Sequence, residues 1–110
     1  MARQSGVTAM QTAATATGAG ASILMAGFNY AVFQVSGTFV ATITFQATVD
    51  GTNWVTYALS DLATAARTHA TTQTTASMYL ADDAYALTAI RANITAYTSG
   101  TVTVVGSATE

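Results

Sequence analysis

From Thr38 to Val49 apolar and polar residues alternate without a break. Phe39, Ala41, Ile43, Phe45, Ala47 and Val49 fall on one face, and Thr42, Thr44, Gln46 and Thr48 on the other. A period of two is that of a strand with one buried face. The next run repeats it, with Val55, Tyr57 and Leu59 on one side and Trp54, Thr56 and Ala58 on the other. Further strands are expected over residues 30–35, 86–97 and 101–106. Three tight turns punctuate these runs: Ser36-Gly37-Thr38, Asp50-Gly51-Thr52 and Ser99-Gly100-Thr101. Each sets a small polar residue before a Gly, whose freedom at positive φ suits a hairpin, and restarts the strand on β-branched Thr.

Parity decides the register of the second turn. A two-residue Asp50-Gly51 loop pairs Phe45 with Thr56 and sends Val55, Tyr57 and Leu59 to the polar face. A three-residue loop, Val49-Asp50-Gly51, with Gly51 left-handed and a bulge, pairs Phe45 with Val55, Ile43 with Tyr57 and Ala41 with Leu59. A slip of one residue inverts every side chain, so the second register is expected. The same loop at the other two sites pairs Phe33 with Phe39 and Ala31 with Ala41, then Ala96 with Val102 and Ile94 with Val104. These pairings predict a meander over residues 30–35, 38–48 and 52–59, and a hairpin of 86–97 with 101–106. The turn glycines are Gly37, Gly51 and Gly100.

Between these units, Ser60 to Ala76 reads as a crossover rich in Ala and Thr. Ser60-Asp61 is placed to cap one helical turn through Ala66, and the Thr-rich stretch 71–75 opposes a longer helix. A short strand is expected at Ser77 to Leu80 and a turn at Asp82-Asp83. Ser22 to Ala26 reads as a strand, and Val7 to Thr17 alternates weakly. The first 20 residues have little apolar bulk to offset their ordering entropy, so they read as an arm held by a neighbouring subunit. The expected fold class is all-β: an antiparallel two-sheet sandwich of jelly-roll or Ig-like shape, with a small barrel as the alternative. Residues 1–20 form its extended N-terminal arm and residues 21–110 the sandwich domain.

Composition narrows the chemistry. The chain has 110 residues, 51% of them hydrophobic. Ala and Thr contribute 24 and 22, so four Phe, five Tyr, one Trp and scattered aliphatics must build the core. Only 7% of residues are charged, the net charge is −2, and the three cations are all Arg. No basic stripe is available for nucleic acid or for an anionic membrane surface. The longest apolar run, Ile23 to Phe28, is too short to span a bilayer, and Met1 to Gly6 lacks the apolar stretch of a secretory signal, so a product that starts in a cytoplasm is expected. The absence of Cys removes disulfides and thiolate chemistry.

Candidate chemical residues are few. His69 is the only His and has no marked nucleophile beside it, so it reads as a loop residue. Asp82-Asp83 offers fewer oxygens than a Ca²⁺ site needs. Asp50 reads as a turn residue. Arg91 falls on the polar face of its strand with Asn93, Thr95 and Tyr97, available for an intersubunit ion pair or a ligand. Trp54 stands opposite Gln46 beside the hairpin loop, where it can anchor an interface, stack on a sugar or pack under the arm. Trp54, Arg91 and Tyr97 are the interface candidates. No catalytic, metal-binding or cofactor-binding set emerges, and a non-enzymatic protein is expected.

Long regular strands with no Lys, no Pro and little charge lack the residues that usually blunt sheet edges, which favours a chain covered in an assembly. The stretch from Val35-Ser36-Gly37-Thr38-Phe39 to Asp50-Gly51-Thr52-Asn53-Trp54 resembles small β-sandwich modules in virion proteins of tailed bacteriophages. Ala89-Ile90-Arg91-Ala92-Asn93-Ile94 through Val102-Thr103-Val104 is similar to their closing hairpin. The resemblance implies a virion structural protein, foremost a capsid decoration or stabilising protein. It would be a trimer or larger homo-oligomer that contacts the major capsid protein or another virion protein. Asp50-Gly51-Thr52-Asn53-Trp54 also resembles a hairpin of discoidin-type sandwiches. That likeness implies a carbohydrate-binding or adhesion module in a tail fibre or adaptor, with Trp54 and Tyr97 stacking on glycan.

Overall fold

Eleven strands, all antiparallel, divide between two sheets in the computed structural model, which describes residues 4–84 and 86–110. They are β1 (Gln4–Ala14), β2 (Ser22–Leu24), β3 (Tyr30–Ser36), β4 (Phe39–Thr48), β5 (Val55–Thr56), β6 (Leu59–Asp61), β7 (His69–Ala70), β8 (Thr72–Gln73), β9 (Ser77–Ala81), β10 (Ala89–Gly100) and β11 (Val102–Thr109). One sheet has the order β1-β11-β3-β9-β6-β7, the other β2-β10-β4-β5 with β8 also on β4. The two sheets pack as an all-β sandwich, the class the alternation predicts.

The pairing within it departs from the predicted meander. β3 lies in the six-stranded sheet and β4 in the five-stranded one, so Ser36-Gly37-Thr38 links two layers and closes no hairpin. Ser99-Gly100-Thr101 does the same in return, carrying the chain from β10 back to β11. Phe33 and Phe39 are therefore not ladder partners, nor are Ile94 and Val104. Alternation marks which face of a strand is apolar. It does not tell whether two apolar faces lie side by side in one sheet or opposed across a core. Here they oppose: the Phe33 ring in β3 meets the Phe45 ring in β4 with centroids 5.0 Å apart, and Phe45 meets Tyr79 of β9 at 6.3 Å. The two links cross at one end, where the Thr101 amide donates to the Thr38 carbonyl over 3.0 Å. Gly37 and Gly100 both have positive φ, and a Cβ on Gly100 would fall against the Thr38 carbonyl. Only a glycine fits that approach.

Asp50-Gly51 alone forms a hairpin, short and in a shifted register. Ala47 pairs with Val55 and Gln46 with Thr56, two positions from the expected match. The faces keep the predicted parity because the shift is even. Pairing ends after Thr56, and the chain crosses so that Leu59 and Ser60 enter the other sheet beside β9 and β7. The predicted helical turn after Ser60-Asp61 is replaced by tight turns: the Asp61 carboxylate accepts the Ala63 amide at 2.9 Å, and no helix follows. The strand expected at Ser77 to Leu80 is β9, and Ser22–Leu24 falls within the one expected at Ser22 to Ala26.

The segment read as an arm is, over Gln4–Ala14, the edge strand of the six-stranded sheet, while its first three residues lie outside the described ones. β1 pairs along β11 with three register shifts. Backbone hydrogen bonding, rather than apolar bulk, holds it, and Met10 adds one buried side chain to the core. Gln11 then ties the layers together. Its buried Nε2 donates to the Ala92 carbonyl of β10 at 2.8 Å and to the Gly18 carbonyl at 3.0 Å. Gly18 itself bridges to Ile94, so the free side of β10 beyond β2 is covered.

The core is set by its few large side chains. Gly106 of β11 faces Phe33 in the ladder, and a Cβ there would come within 2.9 Å of the Phe33 ring and 3.1 Å of the Met10 sulfur. Replacing it by Val is expected to cost about 1–3 kcal/mol by overpacking. Urea unfolding should show this as a lower midpoint at unchanged slope; an unchanged midpoint would mean that the Phe33 ring has room to move.

Candidate functional site

β10 and β4 run side by side in the five-stranded sheet, and their register sets Arg91 opposite Gln46 on the outer face. The Arg91 Nε donates to the Gln46 Oε1 at 2.8 Å. The guanidinium carbon lies 4.2 Å from the centroid of the Trp54 ring, a cation–π stack. Trp54 and Arg91, separate candidates in the sequence, thus form one cluster with Gln46. The parity of β5 puts Trp54 on that face, and Gln46 holds the guanidinium flat against the ring.

The turn that delivers Trp54 is organised by Asp50. Its Oδ1 accepts the amides of Thr52 and Asn53, both at 2.8 Å, and the Thr48 hydroxyl at 2.9 Å. Its Oδ2 accepts the Asn53 side-chain amide at 2.8 Å. The Asn53 and Thr52 amides, then the side chains, hold the carboxyl well below its ordinary value of 3.8. Gly51 completes the turn at φ +79°.

Tyr97 does not join the cluster. A bulge between Ile94 and Ala96 shifts the register of β10 on β4, so Tyr97 pairs with inward-facing Ala41 and packs against the core. Its hydroxyl donates to the Gly100 carbonyl at 2.6 Å. The polar face expected for Arg91, Asn93, Thr95 and Tyr97 therefore ends at the bulge. His69 and Asp82 lie 3.4 Å apart, both exposed, and Tyr57 donates to Asp83 at 2.6 Å. Asp61 is engaged with Ser77 and the Ala63 amide. Among the described residues no three His, Asp or Glu gather to hold a metal ion.

Two apolar surfaces were missed in the sequence. A groove of about 330 Å³ on the five-stranded sheet is lined by Val49, Val55, Tyr57 and Leu87, with Asp50 and Asn53 at its rim. The other is the outer face of the six-stranded sheet. Two cross-strand rows run over β1, β11, β3 and β9: Val7–Ser107–Val32–Leu80 and Ala9–Val105–Gln34–Met78. Neither row holds a charge. Val7 is 76% exposed and Met78 41%. The signal was present where Val32 precedes Phe33 and Val105 follows Val104, since apolar neighbours in a strand cannot share a face.

No family model and no curated protein matches the chain. Two solved structures share its fold. The SPBc2 prophage-derived protein YomS superposes with a TM-score of 0.87 over 100% of this chain and 96% of that one, at 16% identity. The PBSX exported protein XepA superposes with a TM-score of 0.89 over 99% of this chain but 38% of its own length, at 18% identity. The sandwich thus corresponds to nearly all of one protein and to a part of the other.

Truncating Trp54 and Arg91 to Ala, singly and together, should give a coupling of about 0.5–1 kcal/mol in urea unfolding. Additive losses would show that the stack contributes nothing to stability. The single Trp also reports on its turn. Because Asp50 titrates below its unfolded value, its contribution is whole above that value and drains away as pH falls toward the folded pKa. The urea midpoint read by Trp54 fluorescence should therefore fall as pH drops below about 4 in the native chain, and that part of the acid loss should vanish in Asp50→Asn.

Proposed function

We propose that this chain is a non-enzymatic structural protein of a bacteriophage virion, decorating and stabilising the capsid through oligomeric packing of its sheets. The observation that carries the reading is the coextensive match to a prophage-derived protein, 100% of this chain against 96% of YomS. A phage origin accounts for that likeness together with the virion-module resemblance of the β4–β5 region. The surface adds support of a different kind: wide, stiff and nearly uncharged, with apolar rows that a protein acting alone in water has no use for.

The glycan-binding alternative rests on Trp54. It is weakened because Arg91 already stacks on that ring and Tyr97 turns toward the core. The polar cluster instead suits the rim of a protein contact, where a planar, pre-oriented guanidinium accepts a carboxylate.

Capsids of the phage that encodes the chain, stripped of it and mixed with purified protein, should retain it in fixed stoichiometry on sedimentation. They should also withstand heating better for it. Failure to bind capsids, combined with glycan binding that disappears in Trp54→Ala, would overturn this reading in favour of an adhesion module.

A further inference from the structure

The two outer faces of the sandwich differ in kind, and the difference selects how copies of the chain meet. On the five-stranded sheet the outer face carries Arg91, Gln46 and Thr residues, with exposed Leu24 and Val40 standing singly on β2 and β4. On the six-stranded sheet it carries Val7, Val32, Val105, Met78 and Leu80, with a shallow groove of about 190 Å³ between them. An antiparallel sheet with one solvated face ordinarily sets polar residues outward. Asp50, Asp61, Asp82, Asp83, Arg67, Arg91 and Glu110 all lie off these rows; the first row continues through Ser60 to His69, which meets Asp82 at 3.4 Å at the β7 edge, outside the four strands that carry the apolar residues.

We infer that two copies of this chain pack face to face across the outer surface of the six-stranded sheet, with Val7, Val32, Val105 and Met78 at the centre of the contact. The inference rests on the oligomeric packing proposed above and names its surface. Over β1, β11, β3 and β9 the face holds no charge and meets its own image about a two-fold axis with no like-charge pair, and apolar cores are most marked in homodimer interfaces. Its size is adequate. Four strands about 4.8 Å apart, of 11, 8, 7 and 5 residues at about 3.3 Å each, present about 490 Å² per copy in projection. Two copies then cover about 1,000 Å², the lower bound for a specific interface. Edge pairing offers less: β2, β5, β7 and β8 have two or three residues each, and β1 is broken by three register shifts. The edges are thus protected by brevity and bulges, where the composition had suggested no protection.

Sedimentation equilibrium of the native chain, Val7→Glu, Met78→Glu and, on the opposite face, Thr56→Glu tests this. The expected result is an even-numbered native oligomer whose face contact weakens at least tenfold in the first two variants and is unchanged in the third. Circular dichroism should be alike in all four. Since the chain has no cysteine, Ser107→Cys supplies a second readout that leaves the fold untouched: oxidation should give a covalent dimer in high yield. An oligomer indifferent to both Glu variants, with no cross-link at 107, overturns the face assignment and leaves the oligomeric reading standing. A native chain that stays monomeric at 100 μM, on the order of ten times the dissociation constant expected of a weak interface, overturns both.

Discussion

The contact of Phe33 with Phe45 across the core fixes the spacing of the two sheets. In a chain so rich in Ala, most inward positions are small: Ala31, Ala41, Ala47, Ala81, Ala92 and Ala108 are all buried. Sheets lined by methyl groups alone would close too tightly or slide. The Phe33 ring, wedged between Phe45 and the space left by Gly106, and Tyr79, its ladder partner on β9 that also meets Phe45, supply the bulk that sets separation and alignment. Tyr79 also anchors laterally, its hydroxyl donating to the Thr75 carbonyl at 2.7 Å. Through the strands that carry these rings, the outer-face positions of Arg91, Gln46 and the Val rows are determined as well.

Strand positions and inward faces were legible because a period of two is a local property. Partnership was not, because it depends on which of two apolar faces a third strand covers. The turn at Gly37 satisfies every local requirement of a hairpin and still joins two layers. The decisive fact, β11 lying between β1 and β3, is carried by pairings between residues about seventy to a hundred positions apart. Gln11 escaped notice for a similar reason. A lone Gln in a weakly alternating stretch gives no sign that it will be buried, since its partners, the carbonyls of Ala92 and Gly18, are backbone atoms. Trp54 and Arg91 were both legible as outer-face residues, whereas their contact needed the register of three strands. Tyr97 was misplaced by one bulge, an insertion that leaves no mark on the residue types.

The surfaces divide the functional question along the two layers. One layer presents a rigid, polar, singly cationic cluster whose geometry is held by Asp50 and Gln46. The other presents apolar rows with no charge to steer or select. A protein that stiffens a larger shell has use for both, one for company of its own kind and one for a partner of different chemistry. Among the described residues no three His, Asp or Glu gather in either layer.

The place of β11 between β1 and β3 bears on the order in which the protein can be made. Of the eleven strands β1 is made first, yet the one it pairs with is made after all the others. At about 5–20 residues per second, the N-terminal strand waits roughly five to twenty seconds with its backbone unpaired. The bulges that keep β1 from offering a straight ladder to a finished neighbour arise only on pairing with β11, so they guard the folded edge and leave the waiting strand without them, while many nascent chains on one messenger lie close together. The last strand made thus both completes the sheet and blunts its edge.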